Sequence, residues 1–279
     1  MAIATGGRLI MGETLKPIGK LRGWVRRRIG FIPLMEWRNQ LVMGPAVPGI
    51  AWRESREVAR LRQGLAGGST SALVACIVPT YRRHDRLIAA IDSILRQTFQ
   101  DFVVIVVDDG GGLPQLQDDP RVIAVSLSKN TGIAGVVRNV GIRLSQSKYV
   151  AFLDDDNTWH PEHLALCLEK LKSGQDLVYT AIARRTVGGR ELDVVSAPFD
   201  RTTLINEGYV DTSAIVVRRG NDVWFSRLPR GRTTLPGEDW EFVFRLSRRI
   251  RVTHIPIVTV DYLVNPESFY TPWSEASTQ

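Results

Sequence analysis

Five apolar residues run directly into three aspartates in the stretch YVAFLDDD (residues 149–156). A continuous apolar run without alternation is typical of a strand that is buried on both faces of a sheet. The carboxylates of Asp154, Asp155 and Asp156 repel one another at this spacing. Such a cluster becomes favourable when a divalent cation neutralises it, so the end of this strand is a candidate binding site.

Apolar strands and helices alternate along the chain around this stretch. Three more apolar runs lie upstream: ALVACIVP (72–79), FVVIVVDDGGG (102–112) and RVIAVSL (121–127). Apolar residues at helical spacing follow in DRLIAAIDSILRQ (85–97), AGVVRNVGIRLSQ (134–146) and HPEHLALCLEKLKSG (160–174). The alternation predicts an α/β fold with a Rossmann-like open, mostly parallel sheet and helices on both faces.

The pattern changes after about residue 175. The stretch 176–197 predicts two strands joined by a hairpin at Gly188 and Gly189, and TSAIVVRR (212–219) predicts a further strand. A loop entering an amphipathic helix (237–250) and a final strand (252–264) complete the pattern. The second half therefore makes the sheet mixed.

The composition is that of a globular protein, with 279 residues of which 44% are hydrophobic and 23% charged. No run approaches the ~18 to 20 apolar residues of a membrane-spanning helix, and the first residues lack a cleavable leader pattern. We therefore expect a cytoplasmic protein.

Cys76 and Cys167 both lie in apolar patterns, which predicts buried, unreactive thiols.

The basic charge of the chain is concentrated near its N-terminus. Residues 1–70 contain 12 Lys and Arg against 4 Asp and Glu, whereas the remainder is close to neutral. We predict a basic N-terminal extension and linker (1–70) followed by the main α/β domain (71–279). The extension mixes arginines with Trp24 and Trp37, so it either docks on the domain or makes peripheral contact with the inner face of a membrane. Its prolines interrupt any long amphipathic helix: Pro33, Pro45 and Pro48.

Polar residues close two other predicted strands. Asp108 and Asp109 close the second strand, and Pro79, Thr80 and Tyr81 close the first. Ligands of open parallel sheets bind at these carboxyl ends. Helix capping, for example by Asn157, explains one or two such acids but not five. Closely spaced carboxylates suit Mg²⁺ or Mn²⁺, ions that usually bridge phosphates.

The segment KNTGIAGVVRNVGI (129–142) opens a helix with small residues and also carries Asn130, Gly132 and Arg138. Close backbone approach and an arginine suit an anionic substrate. The P-loop pattern and the G-x-G-x-x-G dinucleotide pattern are both missing from the sequence.

Taken together, these motifs resemble those of the inverting family 2 glycosyltransferases of GT-A fold, and the likeness covers about residues 72–265. The matching segments occur in the family's order. They are CIVPTYRRHDRLIAAIDSILRQTFQDFVVIVVDDG, NTGIAGVVRNVGI, FLDDDNTW with its DXD motif, and GEDWEFVFRL.

The resemblance implies transfer of a sugar from a nucleotide-sugar donor, with a UDP-sugar expected, to a carbohydrate, lipid-linked or other hydroxyl acceptor. It places Tyr81 beside the base and Asp109, with Asp108 as the weaker candidate, on the uracil edge. The remaining implied nucleotide-sugar residues are Pro79, Thr80, Asn130, Gly132, Arg138, Asp154 and Asp155. Divalent metal, Mn²⁺ or Mg²⁺, is assigned to Asp156 and Asp154, with Asp155 as the spacer, although an Asp155/Asp156 pair also fits the sequence.

The same resemblance makes Asp239 the catalytic general base and Glu238 its neighbour. Arg138 or Arg232 would help to stabilise the leaving diphosphate, and His254 is either a ligand-side or a core histidine. Departures from the family pattern are Arg82, the glycines after Asp109 and the missing Gln-x-x-Arg-Trp motif. The last of these favours transfer of a single sugar over processive synthesis.

Two other functions fit parts of the sequence. A sugar-nucleotide nucleotidyltransferase would share an α/β nucleotide site, but it should have a glycine-rich loop where PTYRRHD (79–85) has no glycine. A non-catalytic nucleotide-sugar-binding or nucleic-acid-binding module would use the basic extension. The near-neutral main domain argues against a nucleic-acid groove, so no nucleic acid is expected as a partner.

Overall fold

A computed structural model describes residues 30–65, 72–231 and 234–264 of the chain. The helices are α1 (Phe31–Met43), α2 (Val47–Gly64), α3 (His84–Leu95), α4 (Ala134–Leu144), α5 (His163–Lys172), α6 (Arg201–Leu204) and α7 (Glu238–Leu246). Short 3₁₀ turns span Gly44–Ala46 and Thr212–Ala214. The strands are β1 (Val74–Thr80), β2 (Phe102–Asp108), β3 (Val122–Ser126), β4 (Tyr149–Phe152), β5 (Thr158–Trp159), β6 (Leu177–Thr186), β7 (Glu191–Val195), β8 (Ile215–Arg218) and β9 (Val252–Val264).

The strands form one mixed sheet in the order β3-β2-β1-β4-β8-β6-β9-β5, with β7 paired to β6. The pairs β1–β2, β1–β4 and β2–β3 are parallel, as the sequence predicts. In register, Thr80 lies opposite Asp108 and Ile77 lies opposite Phe152. The carboxyl ends of β1, β2 and β4 therefore open on the same edge of the sheet.

The second half supplies the antiparallel strands. β8 runs antiparallel to both β4 and β6, and the predicted hairpin joins β6 to β7 through Gly188 and Gly189. β9 returns parallel to β6 and extends past the ends of the central strands.

The core lies around the central strands, since every residue of β1 and β2 is buried. Phe152, Phe225 and Phe242 pack as an aromatic cluster between β4 and α7, with ring centroids 4.2–5.8 Å apart. Cys76 and Cys167 are buried free thiols, as predicted, and burial raises the pKa of both well above the usual thiol value.

Helix α2 begins at Val47, and Pro48 lies in its first turn, where no backbone N–H is needed. One expectation about local structure needs correction, because Asn157 caps no helix. Its buried amide donates to Ser213 Oγ (2.8 Å) and accepts from the Leu263 amide (2.9 Å), which positions the short strand β5.

Residues 30–64 pack on the α/β domain through both helices. Ile32 of α1 and Val58 of α2 are buried in the main hydrophobic core. Glu54 of α2 is buried and pairs with Arg143 (3.0 Å) and Arg227 (2.7 Å). The described part of the basic region is thus docked on the domain, and Trp24 lies outside the described residues.

Candidate active site

A cavity of about 620 Å³ opens at the carboxyl ends of β1 and β4, between the first turns of α4 and α7. Most of the residues selected from the sequence line it: Pro79, Thr80, Tyr81, Asp109, Asn130, Gly132, Arg138, Asp154, Asp155, Asp156 and Glu238. These residues come from five segments of the chain, and the parallel register of β1, β2 and β4 brings the first of them together.

Tyr81 and Asp109 both line the cavity. The Asp109 carboxylate accepts hydrogen bonds from the backbone amides of Thr131 (2.8 Å) and Gly132 (2.9 Å). Burial raises the pKa of Asp109, against the opposing effect of these bonds. Gly132 has a φ of +64°, a conformation that favours glycine. Asp109 therefore holds the loop before α4 against the cavity wall.

Asp108 has a different place from its neighbour. It is fully buried, does not line the cavity, and accepts hydrogen bonds from the amides of Gly111 and Gly112, both at 2.9 Å. A Cβ on Gly111 would lie 2.9 Å from the Tyr81 ring. A Cβ on Gly110 would lie 2.9 Å from the Asn130 amide, so close packing requires glycine at both 110 and 111. At Gly112 it is the φ of +94° that favours glycine. These three glycines are a departure from the family pattern, and the position of Asp108 supports a structural role.

The three aspartates differ in their partners. Asp155 is bonded by Thr80 Oγ1 (2.7 Å) and by Arg83 (3.1 Å), whereas Asp156 pairs with Arg83 at 2.5 Å. Asp154 pairs with Arg138 at 2.5 Å. Burial, followed by the negative charge of Asp154, raises the pKa of Asp156 to about 6. Thr80 and Arg83 thus hold Asp155 from two sides.

Arg138 connects two walls of the cavity. Its side chain is almost fully buried and donates to Asp154 on the β4 side and to Glu238 (3.1 Å) at the start of α7. Its guanidinium also lies over the Phe225 ring, 5.2 Å from the centroid. Close packing fixes α4 here, because a Cβ on Gly135 would lie 2.6 Å from the carbonyl oxygen of Ser226.

Asp239 lies next to Glu238 on α7 but does not itself line the cavity. Its carboxylate accepts a hydrogen bond from the Trp240 amide (2.7 Å). Burial, together with the charge of Glu238, raises the pKa of Asp239 to about 6. It is therefore a better proton acceptor than a carboxylate of ordinary pKa.

Four functional candidates did not emerge from the sequence: Arg83, Asp211, Arg230 and Tyr262. Arg83, Arg230 and Tyr262 line the cavity. Asp211 precedes the turn Thr212–Ala214 and accepts from the Ser213 amide (2.8 Å). Burial and the charges of Asp154 and Asp239 raise its pKa to about 7. The signal in VDTSA (210–214) was the Asp-x-Ser turn pattern, which by itself indicates a cap and no ligand.

Tyr262 lies at the far end of β9, about 100 residues beyond the aspartates in the chain. Burial and the surrounding carboxylates raise its pKa well above the usual value, so the phenol keeps its proton and can donate a hydrogen bond.

His254, also named from the sequence, does not join the site. His254 is absent from the cavity lining; it packs beside Tyr179, with ring centroids 5.0 Å apart, and lies 3.3 Å from Ser196 Oγ. Its burial lowers its pKa. Arg232 lies outside the described residues.

No preformed set of three or more His, Cys, Asp or Glu ligands occurs within residues 30–65, 72–231 and 234–264. The carboxylates that could contribute oxygen ligands, Asp154 and Asp156, are paired with Arg138 and Arg83.

Within residues 30–65, 72–231 and 234–264, no helix is both long and apolar enough to cross a bilayer.

Comparison with known proteins matches residues 75–225 to the family model described as Glycosyl transferase family 2. Poly(ribitol-phosphate) beta-N-acetylglucosaminyltransferase TarP of Staphylococcus aureus is 30% identical over 149 residues, which is 50% of this chain and 45% of that protein. Succinoglycan biosynthesis protein ExoO of Rhizobium meliloti is 32% identical over 129 residues, 44% of this chain and 37% of that protein. The matched segments thus span less than half of these relatives.

Among solved structures, residues 1–349 of TarS of S. aureus in complex with UDP-GlcNAc align with a TM-score of 0.55 and 18% identity. The alignment covers 70% of this chain and 60% of that one. A likeness at this identity shows the fold, and it confirms the GT-A architecture expected from the sequence.

Proposed function

Since the chain belongs to glycosyl transferase family 2, we propose that it transfers a single sugar from a nucleotide-sugar donor to an acceptor hydroxyl, with inversion at the anomeric carbon. The observation that carries the proposal is the cavity itself. Its lining includes Tyr81 and Asp109, the three aspartates, and Glu238 at the start of α7, which supports the proposal.

The proposed position of the nucleotide is beside Tyr81. The Tyr81 side chain is partly exposed, which leaves ring surface on which a base can stack. The Arg82 guanidinium lies 5.0 Å from the ring centroid. The TarS structure holds UDP-GlcNAc, and we propose a UDP-sugar as the donor of this chain as well.

Asp154 and Asp156 fit a divalent metal by the chemistry of their oxygen ligands and by their position on the cavity wall. Burial, followed by the negative charge of Asp154, raises the pKa of Asp156 to about 6 against the opposing effect of Arg83, and a bound cation would favour its charged form. When bound, Mn²⁺ or Mg²⁺ would offset the negative charge of the departing diphosphate. Arg83 pairs with Asp156 and Arg138 pairs with Asp154, which positions both carboxylates.

Asp239 is the proposed general base. Glu238 is paired with Arg138, whereas burial and the charge of Glu238 raise the pKa of Asp239 to about 6. The acceptor hydroxyl gives its proton to Asp239 while its oxygen bonds to the anomeric carbon. The bond from that carbon to the diphosphate breaks on the opposite face, which inverts the configuration.

A thermal-shift panel of UDP-, GDP- and dTDP-sugars, each with and without Mn²⁺, tests donor and metal together, because a ligand that binds the folded state raises its Tm. We expect a UDP-sugar to raise the Tm most and Mn²⁺ to increase the effect. No shift with any nucleotide sugar would contradict the proposal. Pyrophosphate release from a sugar phosphate and a nucleoside triphosphate would identify a nucleotidyltransferase instead.

A further inference from the structure

An uncharged stretch joins α1 to α2. The 14 residues 39–52 include no Asp, Glu, Lys or Arg, and Arg38 and Arg53 flank them directly. We call residues 37–52 the elbow. Its large apolar side chains are strongly exposed: Trp37 by 65%, Leu41 by 61%, Val42 by 67% and Trp52 by 59%.

The opposite faces of α1 and α2 pack against the α/β domain. On α1, Ile32 and Asn39 are buried, and the Asn39 amide donates to the Leu235 carbonyl (3.0 Å). On α2, the buried residues Ile50, Glu54, Val58 and Leu61 recur at helical spacing. Trp52 lies two residues from Ile50, and Leu41 lies nine from Ile32, so at 100° per residue both point away from the domain.

The charged side chains of α1 and α2 are divided between the same two faces. All three glutamates turn toward the domain: Glu36 pairs with Arg230 (2.6 Å), Glu54 with Arg143 and Arg227, and Glu57 bonds Ser128 (2.7 Å). Arg38, Arg53 and Arg56 are exposed and form no ion pair with any described residue. The Arg56 guanidinium lies over the Trp52 ring, 4.7 Å from its centroid.

We propose that the elbow binds the surface of an anionic lipid bilayer, with its apolar side chains inserted at the headgroup boundary. Exposed tryptophans next to uncompensated arginines match this interface, where the indole ring sits at headgroup level and the guanidinium reaches lipid phosphate. A protein partner would need acidic residues to meet the arginines, whereas anionic lipid supplies both the apolar phase and the negative charge.

Helix α1 connects the proposed bilayer contact to the cavity. Glu36 on this helix holds Arg230, which lines the cavity, so the bilayer contact and the cavity share one rigid element. The binding proposal does not depend on the proposed glycosyl transfer, since it concerns a separate surface.

Vesicle co-sedimentation of the full chain tests the proposal, with phosphatidylcholine alone and phosphatidylcholine mixed with phosphatidylglycerol. We expect binding to the mixed vesicles, weakened by salt. Leu41→Glu with Val42→Glu should lower the partition coefficient at least about tenfold, and Arg38→Gln with Arg53→Gln by about tenfold. Val187→Glu with Leu192→Glu, on exposed apolar residues of the β6–β7 hairpin, is the matched control and should bind normally.

Fluorescence adds a second measurement. Binding should shift the tryptophan emission to shorter wavelength, and Trp37→Phe with Trp52→Phe should remove most of that shift while vesicles are still bound. The proposal would be overturned if the full chain failed to bind the mixed vesicles. It would also be overturned if the hairpin control lost as much binding as Leu41→Glu with Val42→Glu. Sedimentation velocity without lipid tests the alternative that a second copy of the chain covers the elbow. A dimer that Leu41→Glu with Val42→Glu dissociates, without vesicle binding, would mean that a second copy covers the elbow.

Discussion

The Arg138 guanidinium lies 3.1 Å from the Glu238 carboxylate, although the two residues are 100 positions apart in the chain. This contact ties α4 to α7 across the cavity. Arg138 also holds Asp154, so one nearly buried cation connects the region of the aspartates to the helix that carries the proposed base.

Replacing this cation should therefore impair catalysis. For Arg138→Gln we expect kcat to fall about 100-fold or more, because both carboxylates lose their shared partner. Steady-state transfer from a UDP-sugar measures the effect. Arg121→Gln is the control, since Arg121 pairs with Asp119 at the surface end of β3; a comparable loss there would show that the effect is not specific to the cavity.

The two acids at the start of α7 should behave differently. Asp239→Asn should lower kcat by about 10² to 10⁴-fold, because the proton of the acceptor hydroxyl loses its base. The thermal shift caused by the UDP-sugar should remain. Glu238→Gln should change KM as well as kcat, because it breaks the contact with Arg138. Normal turnover in Asp239→Asn would rule this residue out as the base.

The pH dependence of transfer follows from the raised pKa of Asp239, which is about 6. Below that pH the carboxyl is protonated and cannot accept a proton, so kcat should rise with pH through about 6 and level off above it. The charge of Glu238 contributes to the raised value, so Glu238→Gln should move this rise to lower pH. A rise that stays in place in Asp239→Asn would assign it to another group.

Asp155 and Asp156 can be separated by matched substitutions. Asp156→Asn should abolish the extra thermal stabilisation that Mn²⁺ gives to the donor complex. Asp155→Asn should keep that response but lower the free energy of unfolding by about 1–3 kcal/mol, because the buried bond to Thr80 and the partly buried bond to Arg83 are disturbed. Denaturant melts with and without Mn²⁺ and donor distinguish the two variants. If Asp155→Asn lost the response to Mn²⁺ and Asp156→Asn kept it, Asp155 would be the metal ligand.

The glycine at the second residue of α4 is expected to tolerate no side chain. Gly135→Ala would bring a methyl group to 2.6 Å from the Ser226 carbonyl, so α4 or the segment of Ser226 must move, and both line the cavity. We expect lower stability and weaker donor binding. Gly49→Ala is the control, because nothing lies within 4 Å of its added methyl, and it should stabilise α2 by about 0.5–1 kcal/mol.

Much of the fold follows from local patterns. The apolar runs of β1, β2 and β4 are buried strands, and parallel pairing brings residues at their carboxyl ends together whatever the rest of the chain does. That is why most of the residues selected from the sequence line one cavity.

The division of roles between adjacent acids could not be predicted from the sequence. Asp108 and Asp109 are chemically identical neighbours, yet one holds a glycine turn and the other faces the cavity. Alternation along the extended chain turns consecutive side chains to opposite sides, and only packing decides which side is the cavity.

By itself, the sequence determined the α/β class, the family and the strand ends at which the acids gather, because these depend on periodicity and on short motifs. Only the tertiary structure decided that Arg230 and Tyr262 complete the cavity, that Glu54 ties α2 to the domain, and that the elbow's tryptophans are exposed. Each of these results depends on contacts between residues far apart in the chain, and burial and electrostatic pairing select such contacts only when the whole domain is assembled.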